Sequence, residues 1–214
     1  MLKAIIFDMD GVLIDSMPYH AQSWIYTFNK AGIESVSKED IYNLEGSNSK
    51  GMIEKIFEQY NKVPKREHFD QLPKLKKEHF FNNWEIKEFT GMNECLTKLK
   101  IKFSLAVVSG ADQKIVREIL NQQYPNIFDV IITGNDVNNG KPDPEPYLNA
   151  LEQLKIEPDE CLVVENATFG VVSAKNAGIY CIAIPTYVKP DKLKDADKIL
   201  DNHQELIKYL YALR

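Results

Sequence analysis

Short apolar runs recur along this chain of 214 residues, separated by stretches of helical periodicity. The runs are Ala4–Phe7, 103–108, Val130–Ile132, 161–164 and 180–185. Their apolarity is continuous rather than alternating, the pattern of strands covered on both faces in a parallel sheet. Between the later runs, residues 114–120 and 147–154 place apolar side chains three and four positions apart, as helices packed on a sheet do. Strand and helix alternate from Cys95 onward, which predicts a doubly wound, Rossmann-like α/β core. Pro142, Pro144 and Pro146 crowd one connection, so it should run as an ordered, non-helical loop until about Pro146.

The interval 15–89 has a different pattern. It lacks apolar runs and carries helical periodicity over 19–31, Lys38–Asn43, 49–60 and 66–84, punctuated by Gly32, Gly46 and Pro64. The simplest organisation is an all-helical cap domain, 15–89, inserted into a core built from 1–14 and 90–214. A cap placed there overhangs the carboxyl end of the first strand.

That strand end holds the most informative residues, Asp8-Met9-Asp10-Gly11. A strand disfavours aspartate, and two carboxylates in one low-dielectric cleft repel unless a cation or phosphoryl chemistry uses them. Asp8 suits a nucleophile that forms an aspartyl phosphate, and Asp10 an acid that protonates the leaving oxygen and later takes a proton from water. Alone, the pair serves equally well as a loop that caps a helix or binds a structural cation. As an acid, Asp10 must hold a proton near neutral pH, so a dry cleft beside other carboxylates is expected to raise its pKa from about 3.9.

Three more signals close successive strands. Ser109-Gly110 offers a hydroxyl and backbone N–H groups to phosphate oxygens, or a plain strand-to-helix turn. Lys141, stiffened by the prolines after it, can neutralise a phosphoryl group, although a lone loop lysine is more often solvated. Glu165-Asn166 supplies hard oxygen ligands suited to Mg²⁺, or a polar exit from a strand. Each is weak alone, yet a doubly wound sheet delivers all of them to one crevice.

Bulk properties narrow the partners. A net charge of −5 carries no basic excess for nucleic acid or an anionic membrane, so an anionic substrate must be drawn by local charges or a metal. No apolar stretch approaches the ~20 residues that span a bilayer, and Leu2-Lys3 leads directly into a strand. Cys95, Cys161 and Cys181 lack C-x-x-C spacing and read as buried free thiols. A cytoplasmic monomer acting on a small molecule is the expectation.

With these residues in place, the chain resembles the haloacid dehalogenase superfamily over essentially its whole length, in its β-phosphoglucomutase-like and phosphoglycolate-phosphatase-like branch. The matching motifs are Asp8-Met9-Asp10-Gly11-Val12, Ser109, Lys141 before Pro142, and Glu165-Asn166 with Gly170 and Ala177-Gly178. The resemblance implies Asp8 as nucleophile, Asp10 as general acid/base, and Mg²⁺ held by the Asp8 carboxylate, the Asp10 carbonyl and the Glu165-Asn166 pair. An acidic residue is usual where this chain has Asn166; an uncharged amide there implies weaker Mg²⁺ binding, or more of the task falling to Glu165. The second aspartate argues against a true dehalogenase, which has no oxygen leaving group to protonate.

In relatives the positions of His20 and the Gly46 loop face the active site when the cap closes, with Lys50 and Lys76 as further cap candidates; for both lysines a solvated helix face is the simpler expectation. Mutases of this branch carry Gly-x-Ser-Arg in the cap loop and an Asn shortly after the second motif. Here the two segments read Gly46-Ser47-Asn48-Ser49-Lys50 and Ser109-Gly110-Ala111-Asp112-Gln113. The expected activity is therefore Mg²⁺-dependent hydrolysis of a small phosphorylated metabolite, with a hexose phosphomutase as the alternative and a phosphate-responsive switch as a third reading.

Overall fold

The computed structural model describes residues 1–85 and 87–213; Ile86, inside the expected cap span, and Arg214 lie outside the described residues. Six parallel strands form one sheet in the order β3-β2-β1-β4-β5-β6: β1 Ala4–Phe7, β2 Ser104–Val108, β3 Val130–Ile132, β4 Cys161–Glu165, β5 Tyr180–Ala183 and β6 Lys198–Ile199. The strands' alternate side chains feed two apolar layers. Ile5, Phe7, Leu105, Val107, Leu162 and Val164 enter one; Ala4, Ile6, Ala106, Val108, Cys161 and Val163 enter the other. Burial on both faces is why the runs are continuous in sequence.

β1 lies between β2 and β4, with Phe7 level with Val107 on one side and Val164 on the other. The chain reverses direction across the sheet at this point, and such a switch opens a crevice beyond the carboxyl ends of the strands.

The helical segment holds α1 Met17–Lys30, α2 Lys38–Asn43, α3 Ser49–Gln59 and α4 Arg66–Asn83. Ser37 and Asp40 close a capping box at the start of α2, and Asn48 caps α3 through Gly51 N–H at 2.9 Å. These helices bury a third cluster of their own, including Trp24, Phe28, Ile53, Ile56 and Phe57. The core adds α5 Met92–Leu99, α6 Gln113–Gln123, α7 Glu145–Leu154, α8 Thr168–Asn176 and α9 His203–Tyr211. α7 begins at Glu145, one residue before the expected end of the loop, because Pro146 fits the first helical turn, where its missing N–H costs nothing.

Candidate functional site

Each strand end at the switch point contributes one polar group. Asp8 follows β1, Ser109 follows β2 and Glu165 ends β4, while Lys141 arrives on the loop between β3 and α7. Gly11, at φ +88°, turns the chain back after Asp10, and a side chain there would meet the Asn166 amide.

The core half of the crevice is a closed ion network. Lys141 Nζ, 1% exposed, donates to Asp8 Oδ1 and to Glu165 Oε1 at 2.6 Å each and to the Val108 carbonyl at 2.9 Å. Tyr147 Oη donates to Glu165 Oε1 at 2.7 Å. The other Glu165 oxygen accepts the N–H groups of Asn166 and Ala167, at 2.9 and 3.2 Å. Glu165 thus steadies Lys141 with both oxygens occupied. Gly170 makes room for it, since a Cβ there would sit 1.7 Å from Oε1. Burial alone would lower Lys141, but the Asp8 and Glu165 charges override it and keep the ammonium charged. Burial pushes the Asp8 carboxyl above its ordinary range, Lys141 pulls against this, and the Glu165 and Asp10 charges add to the rise.

Asp10 behaves differently. Ser16 Oγ donates to Oδ1 and Ser109 Oγ lies 3.3 Å from Oδ2; His20 Nε2 lies 3.1 Å from Oδ1. Burial would raise this carboxyl, yet His20 and Ser16 outweigh it and bring Asp10 down to about 2. This reverses the expectation of a raised pKa: the cleft is dry, but two hydroxyls donate to the group and the His20 ring lies beside it. Burial and Lys76 lower His20, so its ring is neutral. Nδ1 accepts from Lys76 Nζ at 2.6 Å, which leaves the ring proton on Nε2, facing Asp10.

Lys76 is buried rather than solvated, because α4 turns Leu72, Lys76 and Phe80 inward along one four-residue stripe. Lys50 stays on the surface, 4.0 Å from Glu54, with its side chain 71% exposed, and does not line the central cavity. Gly46 packs its backbone directly on the core: a Cβ on Gly110 would lie 2.7 Å from the Gly46 carbonyl oxygen. Gly110 therefore serves close approach of the cap as well as any phosphate.

The next residue back, Glu45, was not singled out in sequence. It is 5% exposed and reaches the core, where Asn166 Nδ2 donates to Oε1 at 2.8 Å. Glu45 Oε2 and Asn166 Oδ1 are both buried without a hydrogen-bond partner. Burial raises Glu45, the Asn166 amide opposes this, and Asp8, Asp10 and Glu165 push it further up. Two orphaned hard oxygens beside crowded carboxylates are a set that suits Mg²⁺. Among the described residues no three His, Cys, Asp or Glu side chains are grouped to hold a metal, and the Asn166 amide oxygen is a further donor beside Glu45.

Asp8 and Asp10 floor a cavity of about 70 Å³, which Glu45, His20, Trp24, Met52 and Lys76 line from the helical segment. The three cysteines are free, buried and away from it. No described helix is long and apolar enough to cross a membrane.

Comparison with known proteins places this geometry. The model of the family described as haloacid dehalogenase-like hydrolase matches residues 5–184. A phosphorylated carbohydrates phosphatase from Thermotoga maritima is 33% identical over 184 residues, 83% of this chain and 82% of its own. A phosphoglycolate phosphatase from Aquifex aeolicus is 29% identical over 94% of this chain and 98% of its own. The solved structure of a Bacteroides vulgatus protein, provisionally named a β-phosphoglucomutase, superposes with a TM-score of 0.90 and 35% identity, covering 98% of this chain and 88% of that one. A family-model match across residues 5–184, most of the sequence, makes this chain a member of the haloacid dehalogenase-like hydrolase family.

Proposed function

We propose that the protein is a Mg²⁺-dependent phosphatase of small phosphorylated metabolites that works through an aspartyl phosphate on Asp8. The observation that carries this reading is the buried Asp8 carboxylate, held at 2.6 Å by a lysine that cannot easily lose its charge, at the sheet's switch point. One Asp8 oxygen is anchored by Lys141, which leaves the other to attack phosphorus in line with the departing oxygen. The same Lys141 ammonium lies where it offsets charge on the phosphoryl oxygens, joined by the Ser109 hydroxyl.

Asp10, ionised as it stands, is set to take the proton from the water that opens the phosphoenzyme. Its acid role in the first step requires that substrate binding adds one proton to the Asp10–His20 pair. The Asp8 carboxylate, the Asp10 carbonyl, Asn166 Oδ1 and Glu45 would hold Mg²⁺. When bound, that ion supplies charge neutralisation between Asp8 and the incoming phosphoryl group. Because Glu45 belongs to the 15–89 cap and Asn166 to the core, this set is complete only when the cap is shut.

The phosphorylated carbohydrates phosphatase and phosphoglycolate phosphatase relatives support hydrolysis of a phosphorylated carbohydrate or acid. The expected setting is cytoplasmic and the expected assembly a monomer. The test is Mg²⁺-dependent turnover of an aryl phosphate, lost by roughly 10⁴-fold or more in Asp8→Asn. Bisphosphate-stimulated interconversion of hexose 1- and 6-phosphates would replace hydrolysis with a mutase reaction. Stoichiometric labelling of Asp8 without turnover would replace it with a switch.

A further inference from the structure

Lys76 is a buried ammonium with no buried counter-charge in contact. It is 6% exposed. Its neighbours are the neutral His20 ring at 2.6 Å, the Phe80 ring at 4.8 Å and the Trp24 ring at 5.8 Å. Among the described residues no carboxylate oxygen lies within ion-pair distance of its Nζ, whereas the adjacent Lys77 has Asp112 at 3.0 Å. An unpaired buried charge costs several kcal/mol, only part of which an imidazole and two aromatic faces return. Lys76 also lines the central cavity, on the cap side, across from Asp8.

We propose that Lys76 is the specificity-determining residue of this site, pairing with an anionic group on a small leaving group. This rests on the phosphatase reading and narrows its substrate class to phosphomonoesters whose leaving group carries a second negative charge, as carboxylate or phosphate. The size of the space agrees, since about 70 Å³ falls well below the ~300 Å³ at which pockets begin to hold drug-sized ligands. A neutral leaving group of the same size leaves the ammonium unpaired when the cap shuts and water departs. An anionic one completes it. Discrimination of this kind, by a site's own stranded polar group, is stronger than any that apolar contact gives.

A competing role is indirect, in which Lys76 serves only to fix His20 and, through it, Asp10. The two roles separate by substrate charge. Three two-carbon esters, 2-phosphoglycolate, ethane-1,2-diol bisphosphate and 2-hydroxyethyl phosphate, present a carboxylate, a phosphate and a neutral hydroxyl on the same frame. The Mg²⁺-loaded wild type should show kcat/KM at least about thirtyfold higher for one or both charged esters than for the neutral one. Lys76→Gln should bring the ratio within about threefold while Lys76→Arg keeps most of it. Which charged ester wins identifies the anion.

Equal wild-type rates on charged and neutral esters would overturn the proposal, as would an equal loss on all of them in Lys76→Gln. Lys76→Met repeats the comparison if the amide is not tolerated in so buried a place. Absence of aryl phosphate turnover by the wild type sinks the phosphatase reading instead; calorimetric binding of 2-phosphoglycolate to wild type and Lys76→Gln then still decides the charge question, equal affinities counting against it.

Discussion

The two walls of the cavity are built on opposite electrostatic plans. Behind the core wall the charges around Asp8 are paired: Lys141 lies between Asp8 and Glu165, and Glu165 is further fixed by Tyr147 and two backbone N–H groups. On the cap wall Lys76 faces an imidazole and two rings, and Glu45 keeps one oxygen unused. A satisfied network is rigid, because each member loses several kcal/mol if another is removed. An unsatisfied wall has bonding capacity left for what enters. The core wall thus suits the invariant part of the reaction, the phosphoryl group, and the cap wall the part that varies.

The comparison breaks most easily at Lys141. Lys141→Ala strands two buried carboxylates, so it should cost about 3–5 kcal/mol of stability as well as activity. Urea unfolding measures this, and a loss below about 1 kcal/mol would mean that the core wall is not a coupled network.

The cap wall should respond with the opposite sign. Burial lowers Lys76 to about 8, against the pull of Asp10 and Asp112, from the ordinary lysine value near 10.5. Between those two values the unfolded chain holds a proton that the folded chain has released, so stability should rise with pH across that window. Lys76→Met should therefore stabilise the protein at neutral pH, on the order of 3 kcal/mol, and abolish that rise. Thermal melts of both proteins from pH 7 to 10.5 check it; a destabilised variant with the same pH slope would show that Lys76 is already paired.

Glu45 sharpens the picture on a smaller scale. Glu45→Gln should weaken Mg²⁺ binding about tenfold, read by calorimetry or by Mn²⁺ resonance, with no substrate present. Unchanged affinity would remove the cap from the metal set. The smallest effect is expected from Asn166→Asp, which replaces a 2.8 Å donor to Glu45 with a like charge. Mg²⁺ should bind a few-fold more tightly while the metal-free cap loosens, visible as a larger radius in X-ray scattering. A metal-free variant as compact as the wild type would show that Asn166 does not help to latch the cap.

Legibility in sequence followed the range of the interactions. The strands β1 to β5 were readable because burial on both faces writes itself into consecutive residues. β6 was not, being two exposed residues at the sheet edge, nor was α8, whose run Gly170-Val171-Val172-Ser173-Ala174 has no clear polar face. Tyr147 reads as one apolar position of α7, although its hydroxyl braces Glu165. Glu45 reads as one loop acid among many; the sole hint is Asn166, an amide where a second carboxylate was due.

The pattern of short apolar runs, glycines and aspartates determined by itself the parallel sheet, the helical insertion and the strand end where the candidate site lies, since these depend on local geometry and on which residues water excludes. Only the folded molecule decided that Asp10 is ionised, that Lys76 is buried and that Glu45 crosses from the cap to meet Asn166. Those are properties of side chains brought together from far apart in the chain, and charge in a dry cleft takes its value from all its neighbours at once.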